Sequence, residues 1–327
     1  MSEDTVQSVI RECFISIINQ KKKEGLSEEE IEKKLSQDRI NEAVKELIAT
    51  MSTDSVNYLK SNMYEIVIDE RARAEEFIAR NEQIWAKGFV ASEAMYLIVL
   101  DCAKEYNSFV RKNAQDRLAD YQYRFYALTY LHGRALQQYL EIVYLLKAGF
   151  ADGAYARWRS IYEISVISQF IGEQESEELA KSYIDSANTD SHNYKWAKKA
   201  PCFSNSRKKN ITFKDIQDKC NEESGWIELY RLSSKLVHAS AQGTFGRFGQ
   251  PSQDENLIPV GHSDFGLALP AENAAISLAL TSVVYFGLIP YGESDVFMLI
   301  ILKWVDYILE CYHTIKTESF SDDLSEN

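Results

Sequence analysis

Proline and glycine are scarce, five and 14 in 327 residues. Few turns fit into such a chain, so long helices with short connections are the expected architecture. The five cysteines, Cys13, Cys102, Cys202, Cys220 and Cys311, are scattered, odd in number and form no C-x-x-C pair. That pattern excludes a zinc ribbon and a disulfide framework and fits a reducing cytoplasm. Positive charge is in deficit: 36 Lys and Arg face 49 Asp and Glu, for a net charge of -13. The mean field therefore repels phosphate, which excludes indiscriminate binding to nucleic acid or anionic membranes but leaves room for a local basic site. The most apolar run, residues 296–302, is too short to span a bilayer and ends at Lys303 and Asp306; it reads as a buried helix. Glu3 and Asp4 stand where a signal peptide would carry basic and then apolar residues. The chain is expected in the cytoplasm, away from membranes. No G-x-G-x-x-G, P-loop or G-x-S-x-G element occurs.

A hydrophobic content of 45% is ordinary for a globular protein and supports a sizeable core. Val6, Val9, Ile10, Cys13, Phe14, Ile17 and Ile18 form a helical stripe that ends in three lysines, with Gly25 as its C-cap. Ser27-Glu-Glu-Glu30 is a capping box for a second helix, and Ile40, Ala43, Val44, Leu47 and Ile48 mark a third. Three short helices in a row also fit a helix-turn-helix, although stripes of this kind usually serve packing. Longer helices are expected over 55–118, with Trp85 and residues 94–100 buried. Further helices are predicted over 123–147 (its tyrosines Tyr126, Tyr130, Tyr139 and Tyr144 packing inside), 152–171, 177–199, 224–240, 271–288 and 294–317. A long loop spans 243–269. The expected organisation is an N-terminal helical region over 1–118, a helical domain over 119–318 and an acidic, disordered tail over 319–327. The fold class is all-α, a multi-helix bundle.

Three constellations carry chemistry. Arg231 and His238 share one predicted helix, and a spacing of seven places their side chains within about 20° of each other. A permanent guanidinium beside an imidazole that titrates near neutrality suits phosphodiester chemistry; the structural alternative is a hydrogen-bonded histidine near a helix end. Tyr230 and Ser234 lie on the adjoining strip, placed to hold phosphate. Arg159 and Glu163 form an i,i+4 pair on an otherwise apolar helix, where Glu163 can orient His238 or Arg231. Residues 195–214 contain Lys195, Lys198, Lys199, Arg207, Lys208, Lys209 and Lys214 without an acid, interleaved with Trp196, Phe203 and Phe213. Such a stretch suits single-stranded RNA, with Lys208 and Lys209 on phosphate, and equally describes a solvated loop. His192, His238 and His262 share no ligand spacing, and neither metal nor cofactor is expected. Cys202 has no sequence support as a nucleophile beyond its neighbouring lysines.

Gly149-Phe-Ala-Asp-Gly-Ala-Tyr-Ala-Arg-Trp-Arg-Ser-Ile-Tyr-Glu163, followed by Tyr230-Arg-Leu-Ser-Ser-Lys-Leu-Val-His-Ala-Ser240, resembles a bacterial family of unknown function, DUF5677, over roughly residues 120–290. That resemblance implies a helical fold and no assigned activity. A looser one is to the HEPN superfamily of all-helical domains, many of them metal-independent ribonucleases of toxin–antitoxin and antiphage systems. Their motif, an Arg and a His separated by four to six residues, is matched by Arg231 and His238 at its upper limit. Leu232 stands where those enzymes usually carry a polar residue. The resemblance implies a homodimeric RNA-cleaving effector with Arg231 and His238 catalytic; the residue pattern adds Glu163 to the catalytic set and Arg159, Tyr230, Ser234, Lys208 and Lys209 as substrate-binding. The alternative is a non-enzymatic module that binds a partner protein, such as an antitoxin, or a small signal.

Overall fold

Apolar residues recurring every three or four positions, with almost no proline between them, dictate helices. The computed structural model accordingly contains twelve α-helices and no strand among the described residues. The described residues are 3–34, 37–188, 194–220, 224–237, 241–246, 249 and 260–319. The expected acidic tail, from residue 320 on, lies outside them. By tertiary contact the chain divides into two compact units, Met1–Arg73 and Ala74–Asn327.

In the first unit, α1 (Glu3–Lys23) ends in Lys21, Lys22 and Lys23, where the helix dipole favours cations. Gly25, at φ 83°, reverses the chain. α2 (Glu28–Lys34) starts from the predicted capping box: Ser27 Oγ accepts the Glu30 amide at 3.3 Å, and Glu30 Oε2 accepts the Ser27 amide at 2.9 Å. α3 (Gln37–Asn113) runs for 77 residues, so the stripe at 40–48 is its opening turns and not a third short helix. No proline interrupts it, and its single glycine, Gly88, is tolerated inside the helix. In the part of α3 that belongs to the first unit, Val56, Leu59, Met63 and Ile66 face solvent at 3-4-3 spacing.

The remainder of α3 belongs to the second unit and supplies Trp85, Phe89, Met95, Val99, Tyr106 and Val110 to its core. The short α4 (Gln115–Asp120) leads into α5 (Gln122–Lys147), α6 (Ala151–Glu173) and α7 (Glu177–Asp185). After the 195–214 stretch come α8 (Phe213–Gln217), α9 (Ser224–Val237), α10 (Ala241–Phe245), α11 (Ala268–Gly287) and α12 (Gly292–Ser319). The helix expected over 177–199 ends at Asp185, where the Ser186 hydroxyl bonds back to the Tyr183 carbonyl at 2.6 Å; 3-10 segments follow at Ser186–Asn188 and Lys195–Lys199.

α5, α6 and α11 pack on one another, with α12 on α11, α7 on α5, and α8 and α9 on α6. Their contacts are largely aliphatic and aromatic; some of the polar groups drawn into them are paired across helices, while Gln138 Oε1, Ser168 Oγ and Asn273 Nδ2 are buried without a partner among the described residues. Trp158 Nε1 donates to Ser277 Oγ at 3.0 Å, and His132 Nε2 lies 3.0 Å from Ser282 Oγ. Since Ser282 gives its hydrogen to the Leu278 carbonyl, His132 is the donor. At the end of α5, Asn81 Nδ2 satisfies the Leu146 and Lys147 carbonyls at 3.1 and 3.0 Å. Gly149, at φ 74°, then turns the chain into α6.

Two packing expectations need correction. On α5 only Tyr139 is inside, at 1% exposure; Tyr126, Tyr130 and Tyr144 are 49%, 64% and 63% exposed. Residues 296–302 do form a helix, but Val296, Leu299, Ile300 and Leu302 are exposed and only Ile301 is buried, because α12 packs through one side. α11 is long and apolar enough to cross a membrane by composition alone, and 67% of its most apolar stretch is buried in the fold.

Candidate functional site

α6 is the helix from which the site is built. It is buried along most of its length, and Tyr155 ties it to α9 through a 3.2 Å bond to the Leu229 carbonyl. One turn apart on the face that meets α9 stand Arg159 and Glu163. Tyr230 of α9 drops between them. Its hydroxyl donates to Glu163 Oε1 at 2.6 Å and accepts from both Arg159 Nε and Nη2 at 3.2 Å. Arg159 Nε also reaches Glu163 Oε1 at 3.2 Å, and its guanidinium lies 5.1 Å from the Tyr230 ring centre. The Arg and Glu side chains retain 28% and 31% exposure, so the cluster stands at a protein–water boundary. It is neither a solvated surface pair nor a sealed one.

Burial raises the Tyr230 phenol well above its usual value, and the carboxylate of Glu163 adds to the rise. The hydroxyl therefore keeps its proton and acts as a donor throughout the neutral range. For Arg159, burial works against the charge, but Tyr230 and Glu163 outweigh it and raise its pKa. Glu163 Oε2 has no hydrogen-bond partner among the described residues, so one edge of the carboxylate stays available.

An aromatic layer supports the cluster from below. Tyr162 lies 5.0 Å from Tyr230 and stacks at 3° on Trp226, 6.3 Å away; its hydroxyl accepts from Gln217 Nε2. Phe213 meets Tyr230 at 5.4 Å, and Tyr194 meets Phe213 at 6.1 Å. Through Phe213 and Tyr194 the lysine-bearing stretch is fastened directly beside Tyr230. Within that stretch Trp196, Phe203 and Ile211 are buried while all seven cations are exposed. Lys199 pairs with Glu178 and Lys208 with Asp215; the other five form no ion pair among the described residues.

Of the residues singled out in the sequence, Arg159, Glu163 and Tyr230 come together. Ser234 sits one turn further along α9, but its hydroxyl proton goes to the Tyr230 carbonyl at 3.0 Å, so it meets any ligand as an acceptor. Arg231 is exposed and unpaired among the described residues. Lys208 is held by Asp215, whose carboxyl it pushes down to about 2 with help from the Thr212 amide, and Lys209 is exposed. His238 and His192 lie outside the described residues. His262 is a packing residue: its Nδ1 donates to the Ala148 carbonyl at 2.7 Å, with the rings of Phe77 and Phe150 5.1 and 4.9 Å away. Burial raises the Cys202 thiol, the opposite of what an activated nucleophile needs. No group of three or more metal-binding side chains occurs among the described residues. The sequence reading missed two features of the site, the aromatic layer of Tyr162, Trp226 and Phe213 and the carboxylate–phenol bond. The signal was the run of aromatics at helical spacing in α6 and α9.

Residues 125–225 match a family of unknown function, DUF5677. The matched stretch includes Arg159, Glu163 and the lysine-bearing segment and stops short of Tyr230 and Arg231. No curated protein and no solved structure matches the chain.

Proposed function

We propose that this DUF5677-type chain is an RNA-directed effector, a metal-independent endoribonuclease of an antiphage or toxin–antitoxin system, working in the cytoplasm as a homodimer. One observation carries the reading: five cations with no ion pair among the described residues sit on a stretch whose Phe213 packs against Tyr230, so a phosphate-attracting surface adjoins the Arg159–Glu163–Tyr230 cluster. The net charge of -13 makes this local excess selective, because the rest of the surface repels RNA.

In the proposed reaction His238 takes the proton from a ribose 2′-hydroxyl, and that oxygen attacks the adjacent phosphorus. Arg231 stabilises the charge on the phosphorane, and the 5′-oxygen leaves with a proton taken from water. The products are a 2′,3′-cyclic phosphate and a 5′-hydroxyl. Glu163, through its open Oε2, orients the basic groups; Arg159 holds a neighbouring phosphate, joined by Lys208 and Lys209, while Tyr230 and Ser234, whose hydroxyl hydrogens are committed to Glu163 and to the Tyr230 carbonyl, position α9 beside it. The exposed stripe Val56–Leu59–Met63–Ile66 is a suitable surface for the second copy.

Purified chain incubated with single-stranded RNA in EDTA should yield fragments with 5′-hydroxyl and cyclic phosphate ends. His238→Ala and Arg231→Ala should lower the rate at least a hundredfold. Equal cleavage by wild type and both variants, or none under any condition, removes the nuclease reading. In the second reading the chain is a non-enzymatic module for a partner protein or a small signal. The bonds that Arg159, Tyr230 and Glu163 Oε1 make to one another favour it, since a polar set of this kind fixes how α9 seats on α6.

A further inference from the structure

A groove of about 610 Å³ opens between the start of α5, the end of α6 and the end of α11, and it shares no residue with the Arg159 cluster. Its volume lies within the range of small-molecule sites, roughly 300–1,000 Å³. Leu280, Val284 and Leu288 supply apolar lining from α11 and its end, and Tyr121 and Arg124 line the groove from the start of α5.

Arg124 is what makes the groove a site. It is only 8% exposed. Its Nε donates to Glu177 Oε1 at 2.7 Å, and its guanidinium lies 4.6 Å from the centre of the Tyr121 ring. Glu177 is itself fixed, since Oε2 accepts the amides of Tyr123 at 2.7 Å and Arg124 at 3.4 Å. The guanidinium is thus clamped on one edge. Its Nη1 and Nη2 make no hydrogen bond among the described residues, yet neither is among the sealed, unpartnered polar atoms of the fold. Arg124 is one of the residues that line the groove, and its Nη donors are not taken up by the protein. A nearly buried cation with one edge satisfied and the other free is prepared for a planar, two-oxygen acceptor.

We propose that this groove binds a small amphipathic monocarboxylate, its head paired to the Nη edge of Arg124 and its apolar body laid along Leu280, Val284 and Leu288. Glu177 already balances the charge of Arg124, and Glu173 and Glu175 are exposed at the rim. Those carboxylates disfavour a dianion such as a phosphate monoester. The donor-only guanidinium repels an ammonium head placed against it. This binding is independent of any action on RNA.

Calorimetric titration of the full chain with octanoate, octan-1-ol and octylammonium tests the assignment. Octanoate should bind saturably at one site per chain, octan-1-ol at least tenfold more weakly, and octylammonium not at all. Arg124→Gln should remove the preference for octanoate over octan-1-ol. Leu280→Glu changes an exposed position, so the fold persists even if Arg124→Gln does not; it should weaken octanoate at least tenfold. Failure of octanoate to bind, equal affinity for acid and alcohol, or octanoate binding unchanged by Leu280→Glu overturns the proposal.

Discussion

His132 makes the second unit acid-sensitive, and the size of the effect follows from its surroundings. The imidazole is wholly enclosed between α5 and α11, lies 4.8 Å from the Tyr285 ring and gives its one hydrogen to Ser282. Burial pushes its pKa down to about 3. In the unfolded chain the same group titrates near 6.5. Below that value the unfolded state takes up a proton that the folded state refuses. The stability His132 contributes is therefore complete above about pH 6.5 and is lost as pH falls toward 3. Between pH 7 and pH 5 the loss works out at about 2 kcal/mol, and the whole interval corresponds to about 5 kcal/mol. His132→Phe keeps an aromatic ring against Tyr285 and removes the titration. All five tryptophans lie beyond Ala74, so their fluorescence in urea reports this unit alone. Wild type should lose about 2 kcal/mol more than the variant on going from pH 7 to pH 5. Comparison with the variant cancels the contribution of other groups, such as Glu272, whose carboxyl burial raises. Parallel pH dependence in the two proteins would refute the reasoning.

Gly149→Ala should destabilise the second unit by about 3 kcal/mol, from the left-handed backbone together with overpacking. Its φ is 74°, and an added Cβ would stand 2.5 Å from Phe77 Cε1 and 2.8 Å from the Ser263 carbonyl oxygen. A thermal midpoint equal to wild type contradicts that geometry. Tyr230→Phe preserves the ring contacts with Tyr162 and Phe213 and deletes the hydroxyl shared by Arg159 and Glu163. It should cost about 1–2 kcal/mol in urea unfolding with helix content unchanged, and an unaltered midpoint would show that Arg159 and Glu163 do not depend on the hydroxyl.

Local signals in the sequence were read correctly because their causes are local. Ser27 and Glu30 satisfy each other within one turn, and Gly25 is needed where the backbone enters the left-handed region. Most helix ends in the second unit fall close to the predicted ones for the same reason; α7, which stops at Asp185 and not near 199, is the exception. Tertiary choices were not legible. The tyrosines of α5 repeat at helical spacing whether they face the core or water, so periodicity alone cannot separate Tyr139 from Tyr126, Tyr130 and Tyr144. Arg124 and Glu177 lie 53 residues apart, and no pattern in either helix announces the pairing. At the candidate site the i,i+4 pairing of Arg159 and Glu163 was visible from spacing. The phenol between them, 67 residues from Glu163, required the packing of α9 on α6.

The stretch from Lys195 to Lys214 is nailed down at intervals by Trp196, Phe203 and Ile211, with Ile216 just beyond. Charges mounted on so firm a support surrender little motional freedom when an anion arrives. Attraction there should be driven chiefly by released counterions, so that doubling the ionic strength weakens capture far more than warming by a few degrees.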